Sequence, residues 1–204
     1  MRWLALDEAL LFALNAWIVW RLFFLEYHPY FSSIEGAFIG MARYISQNWG
    51  DLSWWPLWYG GMPYQNTYVP LLHWVVAGVS TATGVSAARA YHLVVGITYS
   101  AGPALLYWMA RGLGAARGAA VAAALAVSLF SPSALLMPGF GVDMGSALHA
   151  RRLQAMVVYG EGPHMSGMVL AALAILALER AAERGGARSF ALAALAIAPV
   201  LLTN

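Results

Sequence analysis

Five stretches of this chain are apolar for long enough, or nearly so, to cross the ~30 Å hydrocarbon layer of a bilayer, which takes about 20 helical residues. They cover residues 9–25, 90–110, 118–137, 165–178 and 189–203. A sixth apolar stretch, 71–82, is only about a dozen residues, a length that suits a re-entrant or interfacial segment better than a span. The chain is 61% hydrophobic and 10% charged, against about 45–50% and about 25% in an ordinary soluble domain. A chain of 204 residues cannot hide that excess in one water-soluble core, because much of a small domain's surface stays exposed. The sequence therefore predicts an all-α integral membrane protein of about five transmembrane helices, with interfacial or re-entrant helices in a long first outer loop. It reads as a single membrane domain over 1–204 that ends abruptly as the last span closes, as the front part of a longer protein would.

Charge placement orients the spans. The sequence has no lysine, so its positive charge comes from arginine. If 71–82 does not cross, Arg2, the Arg111/Arg117 turn and the Arg180/Arg184/Arg188 turn all fall on one side, which the positive-inside rule makes the cytoplasm. Arg21, near the outer end of the first span, can snorkel to the interface. Residues 26–89 and 138–164 then form two outer loops. The scattered arginines make no nucleic-acid stripe, and the absence of cysteine excludes disulfide and thiolate chemistry. Arg21 and the run Glu26-Tyr27-His28-Pro29 do not resemble a signal-cleavage site, so the first span reads as an uncleaved anchor.

The outer loops hold the chemistry. Ser32-Ser33-Ile34-Glu35 reads as a capping box opening a helix that carries Ile34, Phe38, Met41 and Ile45 on one face and stops at Gly50. Glu35 is either the capping carboxylate or a general base at the membrane surface, and capping would fix it for that second role. The run from Asp51 to Tyr64 is turn-rich and dense in rings; Trp54, Trp55 and Trp58 form either an interfacial belt or a sugar platform. In the second loop a short helix is expected through Asp143, His149, Arg151, Arg152 and Val157. Arg151 and Arg152 either touch lipid headgroups or recognise a phosphate with their guanidinium forks. Glu161-Gly162-Pro163-His164 makes a turn into the next helix, with Pro163 in its first position, and a helix start attracts anions. A divalent metal could draw on Glu35, Asp143, Glu161 and His164, although no ligand spacing supports one. His73 and His92 lie in apolar stretches and read as hydrogen-bonded helix residues rather than ligands.

The order of these features resembles the N-terminal half of the GT-C superfamily of membrane glycosyltransferases, and a group of related uncharacterised bacterial and archaeal membrane proteins. The likeness rests on Glu35 early in the first outer loop, Trp55-Pro56-Leu57-Trp58-Tyr59-Gly60-Gly61-Met62-Pro63, Val69-Pro70-Leu71-Leu72-His73-Trp74, the inner turn Ala110-Arg111-Gly112-Leu113-Gly114, and Gly160-Glu161-Gly162-Pro163-His164. It implies transfer of a sugar from a polyprenyl-phosphate carrier to an acceptor at the extracytoplasmic face of a bacterial cytoplasmic membrane. In that scheme Glu35 is the base, while Arg151, Arg152, Glu161, His164, Asp143, Trp55 and Trp58 contact substrate. The implied partners are membrane lipid and the lipid-linked sugar, not nucleic acid. Two other readings compete: a non-catalytic membrane subunit packing through its Ala/Gly-rich helices onto other subunits, and a transporter, suggested by Pro103 and Pro199 inside spans.

Overall fold

The computed structural model describes residues 2–27, 33–67, 70–144, 146 and 149–203. It is built almost wholly of helix, in the order α1 (Arg2–Ile18), α2 (Glu35–Gln47), α3 (Leu71–Thr83), α4 (Ala87–Gly112), α5 (Arg117–Leu129), α6 (Pro132–Leu136), α7 (Pro138–Met144), α8 (Arg151–Val157), α9 (Gly162–Arg184) and α10 (Ala187–Thr203). Between α2 and α3 the ring-rich run folds back as a two-stranded antiparallel ribbon, β1 (Trp54–Trp55) on β2 (Met62–Pro63), with Trp55 opposite Met62. Among the described residues, α4 and α9 are long and apolar enough to cross a membrane. At 1.5 Å rise per residue they reach roughly 39 and 35 Å.

Helix α4 is the hub, packing on α1, α5, α9 and the loop helices α2 and α3. It runs parallel to α9: Gly162 abuts Tyr91 and Val95, Gly102 abuts Val169, Gly112 abuts Leu176, and the Arg180 guanidinium lies over the Trp108 ring at 5.2 Å. It runs antiparallel to α1, since Phe23 beyond α1 rests on Gly96 while Asp7 meets Tyr107. Arg111, Arg117, Arg180 and Arg184 thus gather at one end of the bundle and the loops at the other, called here the arginine end and the loop end. The best-buried apolar cluster sits at the loop end, where Phe38, Ile39 and Ala42 of α2 and Leu72 and Val76 of α3 close on Tyr91, Val95 and Tyr99 of α4.

Several boundaries differ from those expected. The first helix starts at Arg2 and stops at Ile18; residues 20–23 form a tight 3-10 turn that seats Leu22 and Phe23 against the bundle instead of prolonging a span to residue 25. The stretch 118–137 is not one helix. Residues before proline are pushed out of the helical region, and proline offers no N–H. Ser131 and Met137 therefore turn extended, and Pro132 and Pro138 each open a short new helix. The helix expected through Asp143, His149 and Arg152 is likewise two: Asp143 belongs to α7, Arg152 to α8, and His149 lies between them. By contrast 165–178 extends in both directions to Gly162–Arg184, and Gly185 with φ 64° ends it. The 71–82 stretch is a helix of 13 residues, roughly 20 Å and short of a bilayer crossing.

Candidate functional site

The site is built around two adjacent arginines. Neighbours on a helix project about 100° apart, and α8 uses that angle to send Arg151 and Arg152 to different partners. Arg151 turns outward. It pairs with the Asp143 carboxylate and the Gln154 side chain, and lies 5.0 Å from the Phe140 ring and 5.4 Å from the Tyr159 ring. The Tyr159 hydroxyl donates to the other Asp143 oxygen at 2.6 Å. The Tyr159 hydroxyl, with Arg151, holds the Asp143 carboxyl below its ordinary 3.8.

Arg152 turns inward. Its Nη1 donates to Asn15 Oδ1 at 3.0 Å, its Nη2 to the Tyr99 carbonyl, and the guanidinium carbon lies over the Tyr99 ring, 3.7 Å from its centre. A Cβ at position 102 would come within 3.1 Å of this guanidinium, so Gly102 is what lets it reach α4. Burial pushes the Arg152 pKa down, but arginine stays protonated in proteins, so the positive charge remains.

Both arginines line a cleft of about 580 Å³ between α4, α5, α8 and α9. At its loop end stand Arg151, Arg152, His164, Ser131 and Ser133. From there its walls are apolar, with Leu106 and Met109 on α4, Val127 on α5, and Met168, Ala172 and Ile175 on α9. From His164 to Ile175 is roughly 16 Å of helix at 1.5 Å per residue. A space with cations at one end and a hydrocarbon-lined trough behind them has the form of an anionic amphiphile.

Glu35 is not on that cleft. It opens α2, is 7% exposed, and bonds His92 Nε2 on α4 at 3.2 Å. Beside it the two loop regions dock: Ile34 N donates to the Tyr159 carbonyl at 3.0 Å, and the Tyr91 hydroxyl to the Gly160 carbonyl at 3.4 Å. Gly160 has φ +79°, and a Cβ there would stand 2.5 Å from Ser33 Oγ. No other residue has both the backbone freedom and the missing side chain this approach needs. The capping box is not formed as expected. Glu35 is the first helical residue, its carboxylate goes to His92, and the Ser33 hydroxyl accepts from Glu35 N at 3.3 Å; Ser32 lies outside the described residues.

The structure thus gathers Arg151, Arg152 and His164 and leaves the other candidates apart. Asp143 joins only as the counter-ion of Arg151. Glu161 is half-buried at the start of α9 but does not line the cleft. Trp55 is a core residue and not a sugar platform: its strand position turns it into a cluster with Met41, Ile45 and Tyr64, and it is 3% exposed. Trp58, at the ribbon's tip, is 44% exposed and packs edge-on to Tyr59. His149 braces its loop, its carbonyl accepting from Ser131 Oγ at 2.7 Å. His73 is buried and stacked on Phe38, and burial pushes its pKa down to about 4. Among the described residues no three His, Asp or Glu side chains come close enough to hold a metal ion, so the set Glu35, Asp143, Glu161 and His164 is not assembled.

Two residues escaped the sequence reading. Asn15, in the last turn of apolar α1, is fully buried and donates to Leu11 O at 2.8 Å and Ser128 Oγ at 2.9 Å while accepting from Arg152. Asp7, at the arginine end, takes two bonds from Arg117 at 2.7 Å and one from the Tyr107 hydroxyl at 2.7 Å. A lone amide, and an acid among mostly apolar helix residues, were the available signals, because such groups are rarely buried without partners.

Comparison of the chain with known protein families, characterised proteins and solved structures finds no match.

Proposed function

We propose that the chain is an integral membrane protein whose cleft binds a lipid phosphate, and that the bound lipid is the polyprenyl-phosphate sugar donor of a GT-C-like glycosyl transfer. The observation that carries this reading is the cleft itself, in which Arg151, Arg152 and His164 meet at one end of an apolar trough. A guanidinium fork suits phosphate oxygens, and a prenyl tail would replace hydrocarbon contacts along α9.

Membrane embedding is supported by what the fold leaves uncovered. Only 33% of the apolar window of α4 and 44% of that of α9 is buried inside the bundle. Phe190, Leu192, Leu195 and Leu201 of α10 and Leu10 and Trp17 of α1 are exposed as well. Contiguous apolar faces on this scale favour lipid over water. In this reading α1 and α10 join α4 and α9 as crossings, and the return from α4 to α9 is made by the 13-residue α5 together with the broken segment 130–137 that follows it, since α5 alone is as short as α3. The arginine end faces the cytoplasm, with the N-terminus there, and the loop end lies outside a bacterial cytoplasmic membrane.

In the transfer, the acceptor hydroxyl oxygen attacks the anomeric carbon, the bond from that carbon to the phosphate oxygen breaks, and its electron pair leaves with the lipid phosphate. Arg152 stabilises the departing charge. Glu35 is the candidate base for the acceptor's proton. It does not line the cleft, but its neighbour Ile34 is bonded to Tyr159 at the turn that leads to His164, so the acceptor would approach across that turn.

The test measures binding and turnover with a labelled polyprenyl-phosphate sugar, comparing wild type with Arg152→Gln and Glu35→Gln. Arg152→Gln should lose binding, and Glu35→Gln should keep binding and lose transfer. Retained binding in Arg152→Gln would refute the lipid site, and unchanged turnover in Glu35→Gln would remove Glu35 as base. A non-catalytic subunit is the second reading, favoured by the uncovered small-residue face Gly118, Ala119, Ala122 and Ala123 of α5, which permits close helix packing. Lipid binding with no transfer to any acceptor would favour it.

A further inference from the structure

Two hydrogen-bond acceptors and a ring face converge on Arg152, and none of them is a carboxylate. Asn15 presents its amide oxygen, Tyr99 its backbone carbonyl, and the Tyr99 ring its face. Arg151, one residue away, is paired with Asp143. The adjacent arginines therefore differ in net charge: one belongs to a neutral ion pair, and the other is a cation among neutral dipoles.

Asn15 is what makes that arrangement rigid. It is fully buried, and both ends of its amide are engaged. Its Nδ2 donates to Leu11 O and Ser128 Oγ, and Ser128 Oγ in turn donates to the Ala124 carbonyl at 2.8 Å. These bonds fix the amide so that its oxygen, and not its NH₂, faces the guanidinium. A hydrogen-bonded chain then runs from α5 through α1 to α8, ending on a charged group in the cleft wall. An amide oxygen orients a guanidinium without neutralising it, whereas a carboxylate in the same place would cancel the charge that an anionic ligand needs.

We infer that Asn15 is a positioning residue for anion recognition. It holds Arg152 at the cleft as a cation with no carboxylate partner among the described residues, so discrimination between a phosphate-headed and an uncharged amphiphile depends on a residue of α1 outside the cleft lining. This rests on the lipid-phosphate reading of the cleft and extends it. Asn15 acts through Arg152, and Arg151 contributes less because Asp143 already occupies it.

The experiment uses the full chain in nanodiscs of uncharged phosphatidylcholine and measures equilibrium binding of two probes, farnesyl phosphate and farnesol. Wild type is expected to prefer farnesyl phosphate. Asn15→Asp, nearly identical in shape, should weaken farnesyl phosphate at least about ten-fold, the scale of a lost charge-assisted bond, and leave farnesol binding as in wild type. Arg152→Gln should reproduce that charge-selective loss, and Arg151→Gln should show a smaller one. Equal farnesyl phosphate affinity in wild type and Asn15→Asp overturns the inference. So does a parallel loss of both probes in Asn15→Asp, since a merely structural role would not respect headgroup charge; Asn15→Ser, which keeps a small polar group, then shows whether packing alone was at fault. Wild type that binds the two probes equally, or neither, overturns the lipid-phosphate reading itself and Asn15's role with it.

Discussion

At the arginine end, Arg117 meets the Asp7 carboxylate through both Nε and Nη2 at 2.7 Å, and the Tyr107 hydroxyl completes the carboxylate's shell at 2.7 Å. At the loop end, Arg152 meets an amide, a carbonyl and a ring. Both arginines tie three helices together, yet only the first is neutralised by the residues that hold it. A bidentate arginine–carboxylate pair closes on itself and leaves nothing for a ligand. A guanidinium held by neutral dipoles keeps its field, and in a low-dielectric wall that field is strong. One end of the bundle reads as a staple and the other as a prepared site.

The sharpest way to break this contrast is to remove each arginine in turn. Arg152→Gln should lower farnesyl phosphate affinity by about 100-fold, near the upper range for a charged hydrogen-bond partner. Arg117→Gln should leave that affinity in place and lower the unfolding temperature instead. Equal effects on binding would mean that the two ends are not distinct. Next in size is Gly160→Val, which forces a side chain into Ser33 and the start of α2 at a backbone angle that β-branched residues avoid. It should destabilise by roughly 2–4 kcal/mol through strain and overpacking. Hydrogen exchange should show the opening confined to α2 and the α8–α9 turn, with α1 and α5 near Asp7 still protected.

Smaller effects sharpen the picture within the loop end. Asp143→Asn releases Arg151 from its counter-ion, so farnesyl phosphate should bind a few-fold tighter; weaker binding would show that Asp143 serves the site by ordering Arg151. Because the Asp143 carboxyl is held below its ordinary range, its contribution is present above about pH 4 and is lost as pH falls through the lower folded value. Proteolysis of the 138–150 segment should therefore not change between pH 7 and 5, and should quicken only in stronger acid. His73 has the opposite chemistry and the same outcome. Its folded pKa of about 4 lies below the ordinary 6.5, so the unfolded chain takes up a proton first and stability falls as pH drops across that interval. Thermal unfolding of His73→Phe, which keeps a ring against Phe38, should lose most of that slope.

Much of the loop-end site was legible in the chain. Arg151 and Arg152 carry the positive charge of the 138–164 segment, His164 follows a helix-starting proline, and the three do meet. The shortness of 71–82 was readable from its apolar length, and the amphipathic spacing of Phe38, Met41 and Ile45 marked α2. The break after Phe130 was readable too, from Pro132 and Pro138, but a continuous apolar run masked it. Glu35 and His92 were each visible as isolated polar residues, but nothing 57 positions apart in a chain announces a bond. Trp55 and Trp58 look alike in sequence; only the pleat of a two-residue strand sends one into the core and leaves the other at the tip.

The sequence by itself determined the helices, their preference for an apolar surrounding and the segregation of arginine-bearing turns from ring-bearing loops. These follow from hydrophobic length, proline and glycine positions, and charge placement, all local along the chain. The tertiary structure alone decided which charges are cancelled. Asp7 with Arg117, Asp143 with Arg151, and Asn15 with Arg152 are choices among partners separated by 110, 8 and 137 residues, and pairing energy depends on distances in space that only helix packing sets.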